Sequence, residues 1–461
     1  MLIRNAEIYQ AGLSDLRIDR GIICDIGHLS PRPDETVVDA QGGALFPGLN
    51  DHHIHFLSFA ASLASIDCSP AAATNSEGLA ELLQQHASGE GWLRGFGYHE
   101  SIAGDIDCHW LDYHCPTRPV RIQHRTGRLW IFNSAGLAIL QDAWLKQTTP
   151  PSLAADSFRT GRFYDSDQAL VVLLGRNLPP VKRASEKLAS YGVTGFSDMT
   201  PSNSPDAFAL FQRLKSENSI LQNVQLARNA AFGTEAFTAT IPGPVKIHLH
   251  ENRLPELHEL VERIQSSHTS GAPIAIHCVT EIELLFSLAA LEEAGATEGN
   301  RIEHASVTPE HAFDRMLQLG VTVVTQPHFI LEKGDAYLHD IEPDQHDSLY
   351  RCRTFLDKNI PLAGSSDAPF GMADPWIAMR AAVERRTTSG RLLGKNEALT
   401  PEQALALFLG SLETPGKMRH IKIGMPADLC LLKHPWAVAR TRLTSADVRF
   451  VTCKGTPIFS A

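Results

Sequence analysis

Residues 45–56, Leu45-Phe46-Pro47-Gly48-Leu49-Asn50-Asp51-His52-His53-Ile54-His55-Phe56, carry the strongest local signal in the chain. An apolar run breaks at a Pro-Gly turn and re-enters an extended segment in which His53 and His55 lie two residues apart. Residues i and i+2 of a strand face the same way, so both imidazoles can approach one metal ion. A lone His-x-His is common by chance; the weight comes from what recurs downstream. Ile274-Ala275-Ile276-His277, Arg301-Ile302-Glu303-His304 and Leu362-Ala363-Gly364-Ser365-Ser366-Asp367 each end an apolar run on a metal-binding residue type. Pro244-Val245-Lys246-Ile247 carries a lysine where a buried strand is expected.

Together these segments resemble the amidohydrolase superfamily of metal-dependent hydrolases, in particular its amidohydrolase family 3, or YtcJ-like, branch. The Pro-Gly-x-x-Asp-x-His-x-His pattern of that branch stands here as Pro47 to His55. The likeness extends through Asn133-Ser134, Gly192-Val193-Thr194 and Gly424-Met425-Pro426-Ala427-Asp428-Leu429, and so across essentially the whole chain.

Length and pattern agree with an α/β chain of that kind. At 461 residues there is room for a (β/α)8 TIM-type barrel and a minor appended domain. Short strand-like runs separated by Gly, Asp and Pro fill the first 46 or so residues, and the same texture returns at Asp428–Leu432, Val448–Thr452 and Thr456–Phe459. Neither set offers enough apolar face alone, so residues 1–47 and 418–461 are expected to build one composite β-sandwich. Residues 48–417 are expected to form the barrel, because strand-like runs there alternate with helical patterns. Thr308-Pro309-Glu310 and Thr400-Pro401-Glu402-Gln403 read as helix starts, the second with a capping box.

An inserted subdomain is expected at about 57–170, where glycines and aromatics mix in a loop-like context. The resemblance implies that this insertion helps to cover the active site, which makes Trp92, Tyr98 and Arg128 candidates for substrate binding. Arg128 stands where relatives carry histidine and would suit an anionic substrate group. The plainer reading of Trp92, Phe96, Tyr98 and Trp130 is core packing.

Net charge is −11 and no basic cluster exists, which argues against nucleic acid and for a small-molecule substrate. No apolar run approaches a membrane span, and charges interrupt the N-terminus where a signal peptide needs its apolar core, so a cytoplasmic protein with no membrane partner is expected. Homo-oligomerisation stays open. The eight cysteines are scattered without a Cys-x-x-Cys, as suits reduced thiols. Cys108-His109 with His114-Cys115 has the residue types of a zinc knuckle but not the spacing, and reads as an ordinary loop.

The resemblance implies metal ligation by His53, His55, Lys246, His277, His304 and Asp367 at strand C-terminal ends, the face that carries active sites in such barrels. Nitrogen and oxygen ligands suit zinc, with manganese, iron or nickel as alternatives. Two divalent ions are expected if Lys246 is carbamylated by CO2, because a bare ammonium would be repelled whereas a carbamate can bridge. The implied reaction is hydrolysis of a carbon–nitrogen bond in an amide, N-acyl, N-formyl or cyclic amide by a metal-bound hydroxide, with Asp367 passing the proton. Glu303, next to His304, should face the other way and serve structure. The alternatives are a mononuclear deaminase of a heterocycle, at which His250-Glu251 hints, and a non-catalytic regulatory protein on a hydrolase fold.

Overall fold

The computed structural model describes residues 1–70, 72–175, 178–229 and 239–461. Eight parallel strands follow one another around a single sheet in chain order. They are β1 (Leu49–Ile54), β2 (Val193–Asp198), β3 (Asn223–Arg228), β4 (Ile241–Ile247), β5 (Ile274–Cys278), β6 (Arg301–His304), β7 (Thr322–Thr325) and β8 (Leu362–Gly364). Every residue of β1 and β2 is buried, as expected of parallel strands covered on both faces. Beyond β8 the chain returns to β1: Asp367 N–H donates to His53 O at 2.8 Å and His55 N–H to Ala368 O at 2.9 Å. These bonds close the sheet into a (β/α)8 barrel and bring Asp367 to the end of β1.

Helices follow the strands, among them Pro205–Ser216 after β2, Leu257–Thr269 after β4 and Glu281–Ala294 after β5. The capping box forms at Thr400, whose hydroxyl accepts from Gln403 N–H at 3.2 Å while the Gln403 amide oxygen accepts from Thr400 N–H at 2.9 Å. Its helix stops at Ala406, so the apolar stripe is completed by the next turn, where Leu407 and Phe408 are buried. Thr308-Pro309-Glu310 opens a 3-10 turn, Glu310–Ala312, ahead of the helix Phe313–Gln318.

Strands from both termini form a second eight-stranded sheet, which shares one apolar core of Ile3, Ile8 and Leu16 with Leu429 and Leu431. Its strand Ala44–Pro47 pairs antiparallel with Leu429–Leu432 and runs directly into β1. Gly48 sits at that junction because a Cβ there would lie 2.1 Å from Thr194 Cγ2. The pairing of the Pro-Gly motif with Gly192-Val193-Thr194 is thus one close approach. Barrel and terminal sheet fall in one compact unit, Met1–Phe56 with Ser185–Ala461.

Leu57–Ala184 is the other compact unit. It holds a five-stranded sheet, Ile66–Asp67, Leu93–Tyr98, Val120–His124, Leu129–Phe132 and Arg162–Tyr164, where the sequence suggests loops. Glycines and mixed polarity hide these strands from a pattern search, yet Val120, Ile122, Leu129 and Ile131 build a core on one face, and Trp130, Phe132 and Phe163 another. Buried Asn133 caps the helix Ser134–Leu145 through Gly136 N–H, and its amide nitrogen donates to Cys115 O and Arg118 O. Cys108–His114 is a helix rather than a loop, begun by Asp107. Cys108 and Cys115 are buried in different cores, so that segment is packing and not a zinc knuckle. No helix among the described residues is long and apolar enough to cross a membrane.

Candidate metal centre

β1 is extended, so His53 and His55 leave the barrel wall on the same side. Asp367, just past β8 at φ +54°, meets them from across the barrel seam. Its Oδ1 lies 3.6 Å from His53 Nε2 and 3.4 Å from His55 Nε2, and has no hydrogen-bond donor among the described residues. Two ligands about 2.1 Å from a tetrahedral zinc are separated by about 3.4 Å, so the spacing is that of atoms sharing an ion. Asp51 fastens this end of the barrel: Oδ1 accepts from Ser366 N–H at 3.0 Å and Oδ2 from Ser366 Oγ at 2.5 Å.

Three of the imidazoles are turned by a partner on the other nitrogen. His53 Nδ1 is 2.5 Å from Glu303 Oε2, His55 Nδ1 is 3.1 Å from Thr200 Oγ1, and His304 Nδ1 is 2.8 Å from Gln326 Oε1. The Gln326 amide is oriented in turn by donating to Ser365 Oγ at 2.8 Å. With Nδ1–H donated outward, Nε2 keeps its lone pair for a cation, the arrangement that fixes metal-binding histidines. The His304 ring lies 4.9 Å from that of His53 and 4.5 Å from that of His277. Buried Lys246 Nζ, on β4, has no acceptor among the described residues.

Electrostatics suit a cation in this group. Burial, followed by the Lys246 charge, takes His53 down to about 4, and burial takes His304 to about 3. Burial and the neighbouring His304 and His248 push His277 well below its usual range. These three imidazoles are therefore neutral at pH 7, the form that ligates. Burial would raise the Asp367 carboxyl, but His55, His53 and His304 outweigh it and hold it far below the carboxylate range. Burial brings Lys246 down to about 8.

Glu303 corrects the expectation from strand alternation. It faces the site: beyond His53 it accepts from Arg301 Nε at 2.8 Å, and Arg301 Nη2 donates to His52 O at 2.7 Å. His304 and Ala305 have φ of +71° and +46°, so the pleat ends there and Glu303 and His304 both reach His53. Burial would raise Glu303, but Arg301, Lys246 and His53 override it, and the carboxylate stays ionised. A sequence signal for it existed: Arg301-Ile302-Glu303 places opposite charges two apart on a buried strand, where charges must pair. His248, two residues past Lys246 and outside any ligand motif, joins the group, its ring 4.2 Å from that of His277.

The three substrate-binding candidates lie in the unit Leu57–Ala184. Tyr98 is buried with its hydroxyl donated to Gly104 O. Trp92 packs edge-on against Phe132, with ring centroids 5.8 Å apart. Arg128 is exposed and paired with Asp165 through both Nε, at 2.7 Å, and Nη2, at 2.5 Å.

A closed (β/α)8 barrel with histidines and an ionised aspartate gathered at its strand ends is the arrangement of a metal-dependent hydrolase. The Amidohydrolase family model matches residues 36–459, and the chain belongs to that family. It is 22% identical to YtcJ of Bacillus subtilis, covering 93% of this chain and 91% of that protein. It is 25% identical to the N-substituted formamide deformylase of Arthrobacter pascens, over 82% and 80% of the two chains. Its fold matches an uncharacterized metal-dependent hydrolase from Pyrococcus horikoshii OT3 with a TM-score of 0.76, at 22% identity, covering 96% of this chain and 99% of that one.

Proposed function

We propose that the chain hydrolyses a carbon–nitrogen bond other than a peptide bond in a small amide, N-acyl, N-formyl or cyclic-amide compound. The observation that carries this reading is the unpaired, buried Asp367 Oδ1 facing two Nε2 atoms. A divalent ion, zinc before manganese, iron or nickel, would be held by His53, His55 and Asp367, with His277, His304 and Lys246 serving a second. Bound there, it supplies Lewis acidity, lowering the pKa of water to about 7 and polarising a carbonyl.

The chain's own residues do the rest. Asp367 accepts the proton of the attacking water and delivers it to the leaving nitrogen, since Oδ1 is ionised and has no competing donor. Glu303 and Arg301 keep His53 in the tautomer that offers Nε2. Lys246 acts as a carbamate: the neutral Nζ adds CO2, a nitrogen–carbon bond forms, one N–H proton is lost, and the product offers two oxygens. Burial supports this, because it leaves Lys246 a larger neutral fraction near pH 8 than an exposed lysine has.

The N-formyl arm draws support from the deformylase among the relatives. A mononuclear deaminase is the second reading, favoured by one observation: among the described residues, the one group of three His, Cys, Asp or Glu side chains with ligand atoms all within 4.8 Å of one another is His53, His55 and Asp367. Metal-loaded protein should be screened by mass spectrometry against N-acyl amino acids, formamides, cyclic ureides and aminated heterocycles. Acid plus amine from the first two classes, or a ring-opened ureido acid from the third, is the expected product. Ammonia released from an aminated ring, with the others untouched, replaces this reading by the deaminase.

A further inference from the structure

Arg94 and Arg121 are register partners on the adjacent parallel strands Leu93–Tyr98 and Val120–His124 of the unit Leu57–Ala184. Phe132 is the register partner of Arg121 on the other side, and Trp130 that of Gln123. Residues opposite one another in a sheet share a face, so both arginines project beside Trp130. The Arg94 Cζ lies 5.3 Å from the Trp130 ring centroid; that of Arg121 lies 5.6 Å from the same centroid and 5.4 Å from that of Trp92.

No acceptor among the described residues of the unit is bonded to these charges. The Nε of each arginine is buried without an acceptor, and neither guanidinium forms a hydrogen bond or an ion pair with a described residue. Asp167, the carboxylate that acts on Arg94, is engaged by the Trp130 indole N–H at 2.9 Å. Other arginines of the same sheet are satisfied: Arg128 pairs with Asp165, and Arg162 with Asp105 and Ile106 O. Like charges directly opposite in a sheet repel, and burial adds a desolvation penalty. Indole faces offset part of the charge but give no acceptor to the buried Nε–H of either guanidinium. The tension shows at Arg94, which burial, with Arg121 beside it, pushes down to about 10.

We infer that Arg94 and Arg121 form a binding site for an oxyanion, the carboxylate or phosphate group of a small molecule, walled by Trp92 and Trp130. Each guanidinium is a planar fork of N–H donors, the geometry that recognises carboxylate and phosphate oxygens, and the register brings the two side chains to one face. A bound anion removes the repulsion and fills the unmatched donors at once. Local rules broken without compensation inside a protein mark sites kept for a ligand.

The test uses the full-length chain and follows tryptophan fluorescence and melting temperature while inorganic phosphate or sodium acetate replaces chloride at constant ionic strength. The expected result is a saturable fluorescence change with at least one anion, accompanied by a rise in melting temperature. Arg94→Gln and Arg121→Gln should weaken it at least tenfold, and Arg159→Gln, at an exposed arginine of the same unit paired with Asp156, should leave it unchanged. Whichever anion saturates identifies the phosphate or the carboxylate source. Without anion, both Gln variants should melt at or above the wild type, because removing one of two like charges relieves the site. Should a Gln variant not fold, Arg94→Lys keeps the charge and loses the fork, and is expected to bind about tenfold more weakly. No saturable response to either anion, a response preserved in the Arg94→Gln/Arg121→Gln double variant, or undiminished binding by Arg94→Lys overturns the inference.

Discussion

Replacing Glu303 by glutamine keeps the size and one oxygen of the side chain and removes its charge. In the native barrel Glu303 is fully buried, 2.8 Å from Arg301 Nε and 2.5 Å from His53 Nδ1. The first loss is the counter-charge of a guanidinium that is itself buried and already has Nη1 unpartnered. Removing one member of a buried ion pair costs about 3–5 kcal/mol. The second loss is the anionic acceptor that orients His53 and raises its basicity. Disrupting such an outer partner of a metal ligand lowers metal affinity about 10–100-fold, which is about 1.4–2.8 kcal/mol. Competition with a chelator measures the affinity, and urea unfolding of metal-free protein measures the stability. The two losses separate in the variant Arg301→Met/Glu303→Leu, which should regain most of the stability and none of the affinity. Zinc affinity of Glu303→Gln within twofold of wild type would falsify the positioning role assigned to Glu303.

Elemental analysis should find about two divalent ions per chain in the wild type and about one in His277→Ala, since a zinc site rarely uses more than four protein ligands; a single ion in both removes the second site. Asp367→Asn should lower kcat about 10²–10⁴-fold at equal metal occupancy, because an amide oxygen can still ligate but cannot carry the proton; intact kcat with a raised KM takes Asp367 out of proton transfer. Lys246→Ala should lose activity and regain part of it with a short carboxylic acid, while metal-stripped wild type should need bicarbonate as well as metal; full reactivation by metal in CO2-free buffer counts against the carbamate. Metal-free, CO2-free protein should gain stability from about pH 8 toward 10.5, relative to Lys246→Met. In that window the folded lysine has released its proton while the unfolded one still holds it, so the unfolded state binds more protons and stability rises with pH. Equal pH slopes for the two proteins would show that burial does not shift Lys246.

Residue type and local spacing determined a good part of this protein. The Thr400 capping box closes over a few residues, so its residues alone announce it. His53, His55, His277, His304 and Asp367 each stand at the end of an apolar run, and a parallel barrel puts all such ends on one face. The terminal strands were legible for the same reason, each alternating within its own short span. What the sequence could not show was which distant groups would meet. Glu303 and His53 are 250 residues apart, and their contact depends on closure of the barrel and on the left-handed turn at His304. The partner of Arg128, Asp165, lies across the strand pair, and the sheet in Leu57–Ala184 shows no period because three of its five strands have four residues or fewer and Gly95 and Gly97 interrupt the longest. Secondary structure follows from interactions a few residues long, which a sequence displays directly. Pairing of buried charges is a through-space condition, met by whichever residues the closed barrel brings within about 3 Å, and only the tertiary structure chooses them.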